Sequence, residues 1–326
     1  MRLLVLGGTQ FLSRAIAAEA VARGHDATCA ARGVSGAVPT SARHVPLDRS
    51  APDWSGLEGE WDALVDVART PSWVSGALDH LADRVTHWTF ISSISAYADQ
   101  STPGGTPETL PLLDPITEDV EQDTPETYGA QKVACEQDVL ARAPQPLVVR
   151  PGLIIGPGDP SGRFTYWAER LAEGGEVLTP ESPDRDTQAI DVRDLAAWVV
   201  TCAEQCRTGV YDATGPTVRL GDLVDEVVEA VGGQATPIWA PADFMLEREV
   251  AYWAGPRSLP LWLPEDARGM TTHDVTATLA AGLTLRPVGQ TARDTLEWVR
   301  ANPDAPRTGL TRAEEQEIVD DWLSRP

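Results

Sequence analysis

Short apolar runs alternate with amphipathic stretches along the amino-terminal half of the chain. RLLVLG at 2–7 is a continuous apolar run, and FLSRAIAAEAVARG at 11–24 follows it with apolar residues at helical spacing. A run without polar alternation is typical of a strand buried on both faces, whereas the second pattern is typical of an amphipathic helix. The chain therefore begins with a predicted strand, tight turn and helix.

The same alternation continues to about residue 152. Five further apolar runs predict buried strands: DATCAA (26–31), ARHVPL (42–47), WDALVDV (61–67), THWTFISS (86–93) and PLVVRPG (146–152). Helical spacing predicts helices over 72–84 and 125–142. Buried strands that alternate with helices predict an α/β fold, a Rossmann-type doubly wound parallel sheet with helices on both faces.

The second half changes in character, which predicts a second domain. We expect 1–160 to form the Rossmann domain, with about 186–215 returning to it, and 161–326 to form mainly a smaller α/β substrate-binding or lid domain. Large side chains cluster in the second part, and they would form either an apolar substrate wall or the core of that domain. They are Phe164, Tyr166, Trp167, Trp239, Phe244, Met245, Tyr252, Trp253 and Trp262.

Composition narrows the classes of function. The 326 residues carry a formal charge of -23, and such an acidic chain would repel the phosphates of nucleic acids. Because no stretch has the roughly 20 apolar residues that span a bilayer, we expect a soluble, cytoplasmic protein without membrane or nucleic-acid partners. The four cysteines are too few and too scattered for a disulfide framework, and no metal site is expected.

GGTQFLS at 7–13 stands where the first strand meets the first helix. Backbone amides and the positive end of a helix dipole at such a turn suit a pyrophosphate. Gly7 is present, but Gln10 and Ser13 occupy positions where a glycine fingerprint would place two more glycines. Arg32 follows the second strand, where a carboxylate would bind ribose hydroxyls, and an arginine there suits a 2′-phosphate. The pattern therefore favours NADP over NAD.

TPETYGAQKVACEQD at 124–138 contains the only lysine of the chain, Lys132. Thr124 is a predicted helix cap, so Tyr128 and Lys132 would lie on one helical face, four residues apart. A phenol has a pKa of about 10 in water, and a nearby ammonium favours the phenolate. This spacing predicts an acid/base tyrosine. An ordinary helix with one buried tyrosine and one surface lysine would show the same spacing.

Several motifs occur together in a familiar order. GGTQFL, SSISAY (92–97), YGAQK, RPGLIIGPGD (150–159) and IDVRDLA (190–196) resemble the extended branch of the short-chain dehydrogenase/reductase superfamily, and the closing segments resemble its actinobacterial epimerase-like members. The resemblance implies that Tyr128 exchanges the proton and that Lys132 assists it and holds the nicotinamide ribose. It implies that Ser93, rather than Ser92, hydrogen-bonds the reacting oxygen, although either hydroxyl could serve.

The resemblance also implies a set of cofactor-binding residues along the carboxyl ends of the strands. They are Gly7, Thr9, Gln10, Phe11, Leu12, Arg32, Asp48, Val67, Ala68, Ser92, Lys132, Pro151 and Gly152. Asp48 would face the adenine amino group, and a turn at the surface is nearly as good an interpretation of this residue. A homodimer formed through two helices per subunit is a further implication of the family likeness.

Departures from the family pattern bear on the substrate. Ile94 and Ser95 stand where sugar dehydratases carry an Asp–Glu pair, and Leu153 and Ile155 stand where nucleotide-sugar epimerases carry polar residues. We therefore expect an NADP-dependent oxidoreductase that acts on a secondary alcohol or ketone of a small, moderately apolar molecule. An NAD-dependent nucleotide-sugar epimerase is the first alternative, and a non-catalytic cofactor sensor or scaffold is the second. The acidic loop 98–123 is a candidate lid.

Overall fold

The alternating pattern of the amino-terminal half forms strands and helices in the predicted order in a computed structural model, which describes residues 1–120 and 124–325. The strands are β1 Arg2–Leu6, β2 Asp26–Ala31, β3 Arg43–Pro46, β4 Trp61–Asp66, β5 Val85–Ile91, β6 Pro146–Pro151, β7 Ile154–Ile155, β8 Gly175–Pro180, β9 Asp186–Thr187, β10 Ile190–Asp191, β11 Gly209–Ala213, β12 Val218–Arg219, β13 Ala235–Ala240, β14 Ala251–Tyr252 and β15 Ser258–Leu259.

The helices follow the same numbering along the chain. They are α1 Phe11–Ala22, α2 Pro71–Leu81, α3 Pro125–Arg142, α4 Arg163–Glu173, α5 Val192–Glu204, α6 Leu220–Val231, α7 Ala242–Glu247, α8 Thr276–Ala280, α9 Val288–Ala301 and α10 Arg312–Leu323. Short 3₁₀ turns occupy Trp54–Gly56, Ala82–Arg84, Ile94–Ala96 and Glu265–Thr271.

The chain divides into two compact units. The first unit comprises Met1–Gly152, Val192–Thr214 and His273–Thr284, and the second comprises Leu153–Asp191, Gly215–Thr272 and the residues from Leu285 onward. The boundaries expected from the sequence, 1–160 and 161–326, stay a prediction.

The first unit is built on a seven-stranded sheet in the order β11-β6-β5-β4-β1-β2-β3. Every neighbouring pair is parallel. The predicted Rossmann-type sheet is therefore confirmed, and its strand order reverses between β1 and β4. Ligands of such sheets bind at the carboxyl ends of the strands beside this reversal, where diverging connections open a crevice.

Helices cover this sheet through apolar side chains. Val74 and Leu78 of α2 and Val139 of α3 join Leu64 and Trp88 of the strands in one buried cluster. α1 and α5 pack on each other, and they also contact β1, β4 and β5. This packing holds the carboxyl ends of the strands in a fixed array, so the residues that follow β1, β2, β4, β5 and β6 have defined positions.

The second unit has its own core around the parallel pair β8–β13 and the helices α4, α6, α9 and α10. Most of the large side chains for which a substrate wall and a domain core were both expected belong to this core. Phe164, Tyr166, Trp167, Phe244, Met245 and Trp262 are buried in it. Trp239, Tyr252 and Trp253 are only partly buried and pack at its edge.

The loop predicted as a lid is bonded to the first unit along its described part. Tyr97 forms an antiparallel bridge with Leu112. The amide of Ile116 donates to the Ala130 carbonyl at 3.1 Å, which ties the loop to α3. Residues 121–123 of the predicted lid lie outside the described part of the chain. Within the described residues, no helix is long and apolar enough to cross a membrane.

Candidate active site

The turn between β1 and α1 has the geometry of a phosphate-binding loop. Gly7 has a φ of 133°, and a Cβ there would lie 3.1 Å from Val67 Cγ2, so only glycine fits without strain. Among the described residues, α1 has neither a side-chain cap nor an acidic residue in its first turn. Its amide groups and its positive dipole end are therefore available to an anion.

The two departures from the glycine fingerprint leave this turn intact. Gln10 has a φ of -134°, which any residue adopts, and its amide nitrogen Nε2 donates to the Ser35 carbonyl at 3.3 Å. Ser13 is buried, and its hydroxyl donates to the Gln10 carbonyl at 2.8 Å. Phe11, at the first position of α1, has a φ of 33°, an uncommon value for a residue with a side chain. The loop thus accommodates Gln10 and Ser13.

A cavity of about 280 Å³ opens at the carboxyl ends of β1, β2 and β4. Its lining brings together five residues that the sequence analysis assigned to the cofactor, which are Gly7, Thr9, Arg32, Val67 and Ala68. The volume and the largely apolar lining suit the adenosine half of a dinucleotide. The residues around the β1–α1 turn and this cavity thus fit NAD or NADP.

Asp48 differs from this group because it does not line the cavity among the described residues. It is exposed, and its Oδ1 accepts hydrogen bonds from the hydroxyl of Ser50 at 2.7 Å and from the Ser50 amide at 3.0 Å. These bonds, with a smaller contribution from the Arg32 charge, lower the pKa of the Asp48 carboxyl. Asp48 thus belongs to a turn at the surface, and its contact with the cofactor stays a prediction.

An ion pair in the wall of the cavity was not anticipated from the sequence. Arg49 donates to both carboxylate oxygens of Asp66, at 2.6 and 3.0 Å, and also to the Trp73 carbonyl. The Arg49 side chain is 8% exposed and that of Asp66 is 0% exposed. The carboxylate at the end of the apolar run WDALVD indicates a buried ion pair, because a buried carboxylate needs a partner. The run does not show which arginine is that partner.

Ser92 and Ser93 follow β5 and differ in accessibility. Ser93 is partly exposed and caps the 3₁₀ turn Ile94–Ala96, since its Oγ accepts the Ser95 amide at 3.1 Å. Ser92 is buried, and its hydroxyl has no hydrogen-bond partner in the described chain. Ser93 is therefore the more accessible of the two hydroxyls.

Tyr128 and Lys132 lie on α3, as predicted. Thr124 caps this helix by accepting the Thr127 amide at 3.2 Å. Lys132 is buried, and its Nζ donates to the carbonyl oxygens of Ala68 at 2.7 Å and Ile91 at 2.6 Å. The same Nζ lies 6.0 Å from the centre of the Tyr128 ring. The single lysine thus joins α3 to the ends of β4 and β5.

Gly129, the residue after Tyr128, allows α3 to approach the Ser93 turn closely. A Cβ at this position would lie 2.0 Å from the Ser95 carbonyl oxygen and 2.7 Å from Leu113 Cδ1. Such distances are far shorter than van der Waals contact, so any larger residue would move the helix away. Gly129 was not singled out by the sequence analysis, because a glycine inside a helix does not show what lies opposite it.

Pro151 ends β6, and Gly152 follows it and lies against Thr214, the residue after β11. A Cβ on Gly152 would meet the Thr214 hydroxyl oxygen at 3.0 Å. Pro151 is buried and pairs in register with Ala213. These two residues occupy the carboxyl end of β6, the strand beside β5, where the resemblance places the nicotinamide.

A chain of buried polar groups lies directly below this end of the sheet. Arg150 donates to both oxygens of Glu136, at 2.9 and 2.6 Å, and to the Tyr97 hydroxyl at 2.9 Å. Tyr97 in turn donates to Asp212 at 2.7 Å, and Asp212 lies 2.9 Å from His273 Nδ1. Burial and the neighbouring Asp212 charge raise the pKa of the Tyr97 phenol above its usual value. The network fixes α3, β6 and β11 relative to the Ser93 turn.

Comparisons with known proteins agree with this geometry. Residues 3–214 match the NAD dependent epimerase/dehydratase family. No curated protein sequence matches the chain significantly.

Solved structures share the fold over almost the whole chain. UDP-N-acetylglucosamine 4-epimerase from Bacillus cereus has a TM-score of 0.67 at 16% identity, covering 94% of this chain and 99% of its own. The Bordetella bronchiseptica enzyme WbmH, solved with NAD⁺, has a TM-score of 0.63 at 17% identity, covering 92% of this chain and 99% of its own. The matched family, together with this architecture, shows that the chain belongs to the NAD-dependent epimerase/dehydratase family, whose members are NAD-dependent enzymes.

Proposed function

We propose that this protein is an NAD(P)-dependent oxidoreductase that interconverts a secondary alcohol and a ketone on a small, moderately apolar molecule. One observation carries the proposal. The Ser93 turn and the helix that bears Tyr128 and Lys132 are packed together through Gly129, while Lys132 is bonded to the ends of β4 and β5. Three side chains suited to carbonyl chemistry thus belong to adjoining elements at the ligand-binding edge of the sheet.

Each of the three side chains has a distinct task in this proposal. A dinucleotide, when bound, would supply the hydride in one direction and accept it in the other. In the reductive direction the carbonyl carbon receives the hydride, and its oxygen receives the Tyr128 hydroxyl proton. Ser93 donates a hydrogen bond to that oxygen, where negative charge develops. The oxidative direction reverses each transfer, so atoms and charge balance both ways.

In this proposal Lys132 holds the cofactor and stabilises the negative charge that develops on Tyr128 during proton transfer. An ammonium has three donors, and in the described chain two of them go to the Ala68 and Ile91 carbonyls. The third donor is then available to a ribose hydroxyl. Two backbone carbonyls fix Nζ on the Tyr128 side of the helix, and a fixed positive charge stabilises a developing phenolate.

The preferred cofactor is NADP. Arg32 is exposed at the rim of the cavity, just beyond the end of β2, where the 2′ position of the adenosine ribose would come. A guanidinium there binds a phosphate with paired hydrogen bonds. NAD remains the alternative, and the WbmH structure was solved with NAD⁺.

A nucleotide-sugar epimerase is the second candidate, because the similar solved structures include several UDP-sugar 4-epimerases. Such an enzyme would oxidise one sugar carbon and reduce it again on the opposite face without releasing reduced cofactor. Leu153 and Ile155, apolar at positions that are polar in nucleotide-sugar epimerases, favour a less polar substrate.

The test is turnover followed at 340 nm with NADPH and a panel of ketones that range from apolar to sugar-like. Tyr128→Phe should abolish NADPH oxidation and change the Kd for NADPH by less than about twofold, since only the proton donor is lost. Tyr211→Phe, which removes a hydroxyl from a partly exposed tyrosine of β11, is the matched control and should leave turnover unchanged.

Two results would separate the candidates. Conversion of a UDP-sugar to its epimer with no net change at 340 nm would favour the epimerase. Turnover by Tyr128→Phe at the rate of the unchanged protein would reject Tyr128 as the proton donor in either reaction.

A further inference from the structure

Arg49 and Trp73 lie side by side in the wall of the cavity that suits the adenosine half of the cofactor. The Trp73 backbone carbonyl accepts a hydrogen bond from Arg49 Nη2, so the helix that carries Trp73 and the loop that carries Arg49 are tied together there. Trp73 itself is only partly buried, and it packs at the edge of the sheet core. The cavity lining therefore includes an arginine and a tryptophan that are bonded to each other.

The hydrogen bonds of Arg49 determine which part of its side chain a ligand can use. Both terminal nitrogens are engaged, Nη1 by Asp66 at 2.6 Å and Nη2 by Asp66 and the Trp73 carbonyl. Its Nε is enclosed by protein and has no partner in the described chain. Three of the five N–H donors in the guanidinium plane are thus bonded and a fourth, on Nε, is enclosed, so most of the in-plane donors are unavailable to a ligand and the flat face of the group is left for contact.

A face of fixed orientation suits a flat aromatic ring. Asp66 is fully buried, accepts the Ala68 amide at 2.9 Å and holds the guanidinium with two bonds, which leaves Arg49 little freedom to turn. A guanidinium stacks on an aromatic face more favourably than an ammonium does, because it is planar and weakly hydrated. Adenine is the flat ring of the proposed cofactor.

We propose that Arg49 and Trp73 bind the adenine ring by stacking, and that Asp48 contributes little to adenine binding. The Asp48 carboxylate lies outside the cavity lining and is already bonded to Ser50, whereas Arg49 and Trp73 form part of that lining. This inference rests on the proposed function only in assuming that a dinucleotide binds. It adds two residues to the cofactor site and removes one that the family likeness implies.

Calorimetric titration of the whole protein with NADPH, NADH and reduced nicotinamide mononucleotide tests it. The mononucleotide lacks the adenosine, so it reports on the nicotinamide end alone. Arg49→Lys keeps a positive charge beside Asp66 and loses the planar face. We expect it to raise the Kd for NADPH and for NADH alike by about tenfold, with the Kd for the mononucleotide unchanged.

Trp73→Leu tests the same wall without disturbing the buried ion pair, and we expect it to weaken both dinucleotides in the same way. Asp48→Asn is the matched control and should change each Kd by less than about twofold. An Arg32→Gln variant distinguishes binding of the 2′-phosphate from binding of the adenine ring. It should raise the Kd for NADPH and leave the Kd for NADH unchanged.

The inference is overturned if Arg49→Lys and Trp73→Leu bind the dinucleotides as the unchanged protein does. It is also overturned if Asp48→Asn raises the Kd for both dinucleotides by the tenfold expected of Arg49→Lys. Equal weakening of the mononucleotide would also overturn it, because the effect would not be specific to adenine. Failure of the unchanged protein to bind any of the three ligands would instead reject the proposed function itself.

Discussion

At the scale of single residues, the buried imidazole of His87 should make the stability of the protein depend on pH. His87 is fully buried in β5, and its Nε2 lies 2.7 Å from the Arg207 carbonyl. Burial lowers the pKa of the imidazole because the charged form loses its hydration, and the Arg207 carbonyl opposes this only in part. The folded protein therefore takes up the His87 proton at a lower pH than the unfolded chain does.

This difference predicts a pH-dependent free energy of unfolding. The unfolded chain binds the proton at a pKa of about 6.5, so stability is full above that pH and falls as the pH drops toward the lower folded value. His87 alone should contribute a slope of at most about 1.4 kcal/mol per pH unit. Urea unfolding between pH 5 and 7.5 should show a smaller slope for His87→Gln, while His80→Gln, an exposed control on α2, should keep the slope. An identical slope in both variants would contradict the assignment.

The residues that the sequence analysis singled out and those that it did not differ in the sequence separation of the contacts that identify them. Helical spacing placed Tyr128 and Lys132 together on α3, as the structure has them, while their catalytic roles stay a prediction. Arg49 was not singled out because its ion pair joins it to Asp66, 17 residues further along the chain in β4. Asp48 was assigned from family likeness; its bonds to Ser50 place it in a turn, and its role at the cofactor stays a prediction. Sequence patterns of short range thus predict local geometry, whereas pairings between strands require the fold.

At the scale of elements, the contact between α3 and the Ser93 turn depends on Gly129. Gly129→Ala would place a Cβ 2.0 Å from the Ser95 carbonyl oxygen, so α3 or the turn must move. We expect a loss of about 1–3 kcal/mol in the free energy of unfolding, measured in urea.

Gly76→Ala is the matched control for this prediction. Gly76 lies inside α2, and a Cβ there would meet nothing within 4 Å. Alanine should therefore stabilise the protein, by about 0.5–1 kcal/mol, through helix propensity alone. Stabilisation by both substitutions would show that α3 is not held close to the turn.

The buried network of Glu136, Arg150, Tyr97, Asp212 and His273 joins elements that are distant along the chain. Tyr97→Phe removes the hydroxyl that donates to Asp212 and accepts from Arg150, and it leaves both partners buried with one bond fewer. The free energy of unfolding should fall by about 1–3 kcal/mol. Tyr211→Phe in the same unit should change it by less than about 0.5 kcal/mol, and a comparable loss in the two variants would mean that the network bonds add nothing.

The elements themselves were largely predictable from hydrophobic periodicity. The apolar runs at 2–7, 26–31 and 61–67 became β1, β2 and β4 to within one residue at either end. The short strands β7, β9 and β10 were not predicted as separate elements, because two residues carry no periodicity. The roles of the aromatic segments in the second half were harder to predict, because a domain core and a substrate pocket are lined by the same kinds of side chain.

At the scale of the whole molecule, the sequence predicted the parallel sheet and the family, and both are confirmed. The identity of the cofactor is less determined, because it rests on Arg32 alone, and one side chain at a strand end is a weak signal. The identity of the substrate depends on pocket residues that are scattered along the chain without regular spacing. Neither the motifs nor the fold therefore specify the substrate.

The central claim is that the carboxyl edge of the β1–β4 region binds a nicotinamide dinucleotide. Its most direct test is titration of the purified protein with NADPH and NADH, following energy transfer from the eleven tryptophans to the reduced nicotinamide. We predict saturable binding with a lower Kd for NADPH than for NADH, and loss of both in Gly7→Val, whose side chain would meet Val67 and Ser13. Absence of saturable binding of either dinucleotide to the folded protein would contradict the account.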